Sequence, residues 1–449
     1  MTSMNVLSVC VIHKILSYFS FQEAAKLSLV SKTWLQAWLA HPNLEFAFPY
    51  GLGDDKIVDQ VIERYCQTKT TIEKFQLSIS IPVFHRRIVF PQIDKWLRIP
   101  LQNGIKDLTC EVYEPSYPFP IFTFLTTNSS RQLVLLGCNL MVHSLSTVTT
   151  TQLASSHSLR KLSLTQVQLD DNMLRAMLNC CPLIDDFIIE HCHSLTNIEL
   201  QNLQNIKSVS ISCYENQSVK IQAPTLQHLF YFGCCWKKSP ILDIVECQNL
   251  KFLQLADMWI SEGFLQHLIS TSQFLENLAL VNVSTRLERF KICGSQSLKL
   301  LTIDNCNGLW EIDAPNFVSL EYDGDLIPQL KIAKESHQLK NSRISHHRLK
   351  NLNVAWFGEL REILSKSTSW SLVFLRFWEC NENNTNDLVL HHTVATPKVN
   401  DLTLYIELSS GKYPTLVDAL LWSCHPKRLT LKSNIEKISC FMYWNVCVH

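Results

Sequence analysis

The chain of 449 residues has no excess of either charge: 40 Lys and Arg stand against 40 Asp and Glu. A neutral chain feels no bulk pull toward nucleic acid or an anionic membrane surface, so neither is expected as a partner. No apolar run reaches the roughly 20 residues that a membrane-spanning helix needs. The Met1 end lacks the basic start and small-residue cleavage site of a secretory signal, and Lys14 interrupts the first apolar stretch. The 17 cysteines are odd in number, scattered, and never spaced as Cys-x-x-Cys. Such usage fits free thiols in a reducing compartment better than a disulfide framework, so the expected location is intracellular, in nucleus or cytoplasm. Also missing are Gly-x-Ser-x-Gly, a Gly-rich phosphate loop and His-Glu-x-x-His, so no catalytic residue and no cofactor is expected. The sharpest metal candidate is His191-Cys192-His193, near Cys180 and Cys181. It falls just after a repeat strand, where Cys or Asn fills an inner turn, so Cys192 reads as buried and the histidines as solvent-facing.

What is present begins at residues 7–46. Val11, Ile12, Ile15, Leu16 and Phe19 recur at helical spacing, and Ser8 is placed to cap that helix. Ser20-Phe21-Gln22-Glu23 has the form of a capping box and predicts a second helix, with Ala24, Leu27 and Val30 on its apolar face and Ala25 and Leu29 beside it. A third helix carries Trp34, Leu35, Trp38 and Leu39 and must stop before Pro42. Three short helices in about forty residues bury little surface alone, so they need a partner or the rest of the chain.

Repetition is the second strong feature. Residues 159–189 align with residues 250–280: Leu159, Leu162, Leu164, Val167, Leu169, Leu174 and Leu178 fall on Leu250, Leu253, Leu255, Met258, Ile260, Leu265 and Ile269. Ile221-Gln222-Ala223-Pro224 falls on Ile312-Asp313-Ala314-Pro315 at the same offset. Inside each copy a smaller unit reads Leu-x-x-Leu-x-Leu, the strand signature of a leucine-rich repeat. Instances start at Leu159, Ile184, Ile206, Leu226, Leu250, Leu275, Leu298, Leu349 and Leu372. Strand then helix, repeated, predicts an α/β solenoid with parallel strands on the concave face and helices and loops on the convex face. The expected domains are a three-helix module at 1–46, a connecting segment at 47–104 containing Pro91 and Pro100, repeats at 105–380, and a terminal repeat and cap at 381–449. Residues 335–347 read as a polar loop.

In such strands the leucines point inward and the residues between them face the concave surface. That places Phe230, Phe232 and Phe252 in one aromatic patch and Phe374, Arg376 and Trp378 in a second. Aromatic residues and Arg are what binding hot spots favour, so these six are the expected target-binding residues.

The first 46 residues resemble an F-box. Leu7 stands at the opening Leu with Ser8 in place of the usual Pro, Ile15-Leu16-Ser17 match the pattern directly, and Phe19 takes the next apolar place. Val30-Ser31-Lys32-Thr33-Trp34 is the Leu-Ser-Lys-x-Trp element with Val for Leu, and Pro42-Asn43-Leu44-Glu45-Phe46 resembles the segment that follows in plant members. Cys181-Pro182-Leu183-Ile184-Asp185-Asp186-Phe187 and Trp422-Ser423-Cys424-His425-Pro426 are similar to segments of plant F-box/LRR proteins. The resemblance implies a non-catalytic receptor subunit of a Skp1–cullin–F-box ubiquitin ligase. The F-box would bind a Skp1-like adaptor, and through it a cullin, by way of Leu7, Ile15, Leu16, Phe19, Leu27, Val30 and Trp34, and the repeats would bind a target protein. The alternative is a leucine-rich-repeat scaffold without ligase association.

Overall fold

A computed structural model describes residues 7–48, 55–68, 72–81, 86–113, 116–127, 129–141, 156–213, 217–233, 241–244, 246–285, 290–293, 295–306, 309–324, 327–331, 339–346, 354–377, 396–406 and 414–433. The chain divides into two compact units, Met1–Thr225 with Ile241–Ile244, and Leu226–Pro240 with Val245–His449.

The first unit opens with α1 (Val9–Leu16), α2 (Phe21–Leu27) and α3 (Lys32–Leu39). Ser20 and Glu23 form the reciprocal capping box at α2, and Ser31 caps α3 by accepting from the Trp34 amide. Ser8 sits at the N-cap of α1 but its side chain makes no capping bond. Ile12, Leu16, Ala24, Trp34 and Ala37 form the core of this bundle, with Ile15, Leu27 and Trp38 packed against it. The bundle does not stop at its own core. Phe21 meets Trp38 and Phe46 at ring distances of 5.4 and 5.6 Å, so α2 rests on the strand that follows.

That strand, β1 (Asn43–Phe48), starts the parallel ladder. It pairs in register with β2 (Lys74–Ile79), then β3 (Asp107–Val112), β4 (Gln132–Leu136), β5 (Lys161–Thr165), β6 (Asp186–Glu190) and β7 (Ser208–Ser212). The segment expected to connect, 47–104, therefore belongs to the array: it holds the last two residues of β1, all of β2, and helices α4 (Asp55–Thr68) and α5 (Arg86–Gln102). Pro91 and Pro100 lie inside α5 rather than in a loop. Each removes one amide from the helix, and the loss is offset by the buried face of Ile93, Trp96, Leu97 and Leu101.

The second unit carries β8 (His228–Phe232), β9 (Phe252–Ala256), β10 (Asn277–Val281), β11 (Leu300–Asp304), β12 (Ser319–Asp323), β13 (Asn341–His346), β14 (Trp370–Phe377), β15 (Lys398–Ile406) and β16 (His425–Ser433), again parallel. The internal copy is visible element by element. Lys161–Thr165 and Phe252–Ala256, Asp171–Cys180 and Glu262–Thr271, and Asp186–Glu190 and Asn277–Val281 each stand at the spacing read from the sequence. Even the helix caps correspond, Asp170 in one copy and Ser261 in the other.

Two expectations fail here. The segment read as a polar loop holds β13, at Asn341–His346, and the strand expected from Leu349 falls on residues outside those described. The inner positions of β13 are Ser342 and Ile344, so Leu339-x-x-Ser342-x-Ile344 is the repeat with Ser in a leucine position; Ser342 is nonetheless buried. Residues 347–353 lie outside the described residues, and a helix occupies Val354–Ser365. Nor does a helix follow every strand. Asn197–Leu200, Ser218–Ile221 and Ile241–Asp243 form a second parallel ladder of short strands. Ile198, Leu200, Val219 and Ile221 are buried in alternation, the two-residue period of a strand rather than the helical one.

Six of the repeats turn at the same place. Gln166, His191, Asp257, Asn282 and Asn305 directly follow a main strand with φ near +50°, and Gly137 does so at +67°. The next residue drops inward: Cys138, Val167, Cys192, Met258, Val283 and Cys306 are all buried. Asn305 donates to the Asn282 side-chain oxygen at 2.7 Å and Asn282 to Asp257 at 2.9 Å, a side-chain ladder across successive turns.

Candidate adaptor and target interfaces

The F-box residues named from the sequence fall into three groups. Leu16 and Trp34 are core, 0% and 6% exposed, and cannot be direct contacts while the bundle is folded. Ile15 and Leu27 pack against that core and are partly exposed. Leu7, Phe19 and Val30 are exposed, as are Val9, Val11, Tyr18, Leu29 and Leu35, none of which was among the expected adaptor-binding residues; Leu29 reaches 86%. A helical period identifies the buried stripe, but a motif built for two interfaces is apolar on more than one face, and only packing separates them. So many large apolar side chains left in water over three short helices mark an interaction surface.

The other surface is the outer face of the strands. Phe230, Phe232 and Phe252 are half-buried there, as expected of positions between the inward leucines. Phe230 and Phe252 lie against each other with ring centroids 4.8 Å apart, and His228 lies 6.5 Å from Phe252. Phe374 and Arg376 also face outward on β14. Trp378 lies outside the described residues.

Strand β13 brings in residues that the sequence reading missed. Arg343 is opposite Phe374 in register, with its guanidinium 4.9 Å from the ring centroid, and its Nε lies 3.9 Å from Glu321 on β12. Arg376 is opposite Tyr405 and stacks on it at 4.9 Å. Arg428 on β16 makes two contacts with Asp401 on β15, at 2.5 and 2.8 Å. The signal that could have found them is the single inward Ile344 flanked by Arg343 and Ser345.

Cys192 is 2% exposed and donates to the Leu164 carbonyl at 3.4 Å; burial pushes its thiol up to about 12. His191 and His193 are exposed. Among the described residues no three His, Cys, Asp or Glu side chains group as metal ligands, and no helix is long and apolar enough to cross a membrane. Asp170 and Asp171 divide two tasks. Asp170 caps the Asp171–Cys180 helix through the Met173 amide, and Asp171 accepts from Thr196 and Asn197 in the following repeat.

The F-box domain model matches residues 6–46, and the At1g61320/AtMIF1 LRR domain model matches residues 67–240 and 230–365. This chain belongs to the plant F-box/LRR family. Among Arabidopsis thaliana relatives, F-box/LRR-repeat protein 25 is 25% identical over 227 residues, 49% of this chain and 81% of the relative. F-box/LRR-repeat protein At3g03360 is 21% identical over 202 residues, 45% and 41% respectively. F-box/LRR-repeat protein At5g02910 is 24% identical over 314 residues, 66% and 64%. The chain thus spans less than two thirds of the length of the last two. The F-box match ends on Phe46, which is buried in the first repeat strand. In this F-box/LRR protein the two modules share a strand rather than a linker.

Proposed function

We propose that this F-box/LRR protein is the target-recognition subunit of a Skp1–cullin–F-box ubiquitin ligase and works inside the cell, in nucleus or cytoplasm. The F-box binds a Skp1-like adaptor, the adaptor links to a cullin, and the repeats hold a target protein. The chain performs no chemistry in this reading. It holds lysines of the target near the ubiquitin-loaded enzyme, and proximity of that kind can lower a barrier by several kcal/mol.

The observation that carries the reading is the exposed apolar surface of a bundle that matches the F-box. Leu7, Val9, Val11, Phe19, Leu29, Val30 and Leu35 remain in water although Ile12, Leu16, Ala24, Trp34 and Ala37 already complete a core beneath them. The test is co-purification of a Skp1-like adaptor with the full chain and with Phe19→Asp/Leu29→Asp. Wild-type recovery that the double variant abolishes supports the assignment. No recovery with the wild-type chain would favour the scaffold that has lost its adaptor contact, for which Ser8 in place of the usual Pro is the motivating departure.

A further inference from the structure

We propose that the outer face of β13 to β16 is a docking surface for an acidic segment of the target, one that places Asp and Glu side chains around an apolar residue. The proposal deepens the target-recognition reading and rests on it only for the statement that the occupant is a target.

Charge is the first argument. From these four strands the outward side chains include four cations, Arg343, Arg376, Arg428 and Lys432, and one carboxylate, Asp401. The chain as a whole is neutral, so this is a local accumulation, not a reflection of composition. A shallow depression at one end of the same face is lined by Ser371, Asn400, Asp401, Lys427 and Arg428 and adds a fifth cation.

Geometry is the second. The guanidinium carbons of Arg343 and Arg376 lie over Phe374 and Tyr405, each 4.9 Å from the ring centroid. A guanidinium stacked on a ring has lost much of its rotamer freedom before any ligand arrives, so less ordering remains to be done on binding. The face already shows what such groups select. Asp401 engages Arg428 through two nitrogens, and Glu321 approaches Arg343. Both partners are carboxylates, so the guanidinium groups of this face are placed to take Asp and Glu side chains. Between the cations lie Phe374, Tyr405 and the 42%-exposed Leu372, which suit one apolar side chain.

The neighbouring strands limit the site. Asp304 on β11 and Glu321 and Asp323 on β12 occupy the outward positions next to β13. A run of carboxylates would be repelled there, so the acidic part of the ligand is confined to β13–β16. Strands about 4.8 Å apart make that width about 14 Å, or roughly four extended residues, and a basic residue about three positions farther would meet Asp304.

The test uses the full chain and fluorescein-labelled eight-residue peptides, read by anisotropy. One peptide has four Glu around one Phe, then Gly and two Lys; a second has the reverse order; a third exchanges every Glu for Lys and every Lys for Glu. The expected result is binding of one Glu-rich order in preference to the other, none of the charge-exchanged peptide, and weakening as salt rises from about 50 to 300 mM. Arg343→Glu/Arg376→Glu should weaken binding at least tenfold, on the order expected for losing close charge pairs, with adaptor recovery unchanged and the melting temperature lowered by no more than several degrees, the loss of the two cation–ring contacts. Equal binding of the charge-exchanged peptide, or full affinity in the double variant, would overturn the proposal. So would binding that appears only when the Glu residues are replaced by phosphoserine, because the selected group would then not be a carboxylate. The adaptor assay is separate: peptide binding by a chain that recovers no adaptor leaves this inference standing and defeats the ligase reading.

Discussion

A residue's burial decides which kind of loss its substitution causes. Leu16 is fully buried among Ile12, Ala24, Trp34 and Ala37, so Leu16→Ala should cost about 2–5 kcal/mol and loosen the bundle. Leu29→Ala, at 86% exposure, should change stability by less than about 0.5 kcal/mol. Denaturant unfolding followed by helical circular dichroism, beside adaptor recovery, separates the two: Leu29→Ala should weaken adaptor binding in a fully folded chain. Thiol chemistry follows the same rule. Burial pushes Cys181, Cys192 and Cys306 up to about 12, whereas Cys10 and Cys66 are exposed. Among the described cysteines, alkylation of the native protein at pH 8 should label Cys10 and Cys66 first, as mass spectrometry would show. Labelling of Cys192 at the same rate would mean that its turn opens readily.

Helices and turns in this chain are held by single capping groups whose removal is measurable. Ser20→Ala takes away the side-chain half of the α2 capping box, leaves the bond from the residue-20 amide to Glu23, and should cost about 1 kcal/mol. Asp171 acts across two repeats. Burial alone would raise its carboxyl, but the bonds from Thr196 and Asn197 outweigh it and hold it below the usual range. A folded-state value below the unfolded one means stability that is fully present above the unfolded value, near 3.9, and lost as the pH falls through the folded value. Asp171→Asn should therefore lower the melting temperature at pH 7, and the gap to wild type should close below about pH 4. A gap independent of pH would assign the effect to packing instead. The left-handed turn after β4 is a third case. Gly137 has φ +67°, so Gly137→Ala should be destabilising by about 1–2 kcal/mol in urea unfolding.

For the molecule as a whole, the proposal is two binding surfaces with independent genetics. Phe230→Ser/Phe252→Ser removes a ring pair 4.8 Å apart on half-buried outer positions. Such a pair contributes about 0.5–1.5 kcal/mol beyond its buried area, and the half-buried ring faces add to that, so the melting temperature should fall by several degrees in a still cooperative transition while adaptor recovery stays intact. A collapse of thermal stability would show that the rings serve the second unit's core.

The strands, their inward leucines and the internal copy were legible in the sequence because each follows from a short period: two residues along a strand, a repeat of a few tens of residues, and a constant offset between Leu159 and Leu250. The capping box at Ser20 and the buried turn at Cys192 were legible for the same reason, since both are local. Three things were not. Ser342 in a leucine position hid β13, and with it Arg343 beside Phe374. Phe46, which ends the F-box pattern, gave no sign that it is the first repeat strand, because its contact with Phe21 joins elements the pattern treats separately. And Leu16 and Leu29 look alike as apolar letters in one motif, yet one is sealed in a core and the other stands in water. Periodicity reports which residues share a face of their own element. Which face meets another element depends on the packing of distant segments, and that only the tertiary structure decided.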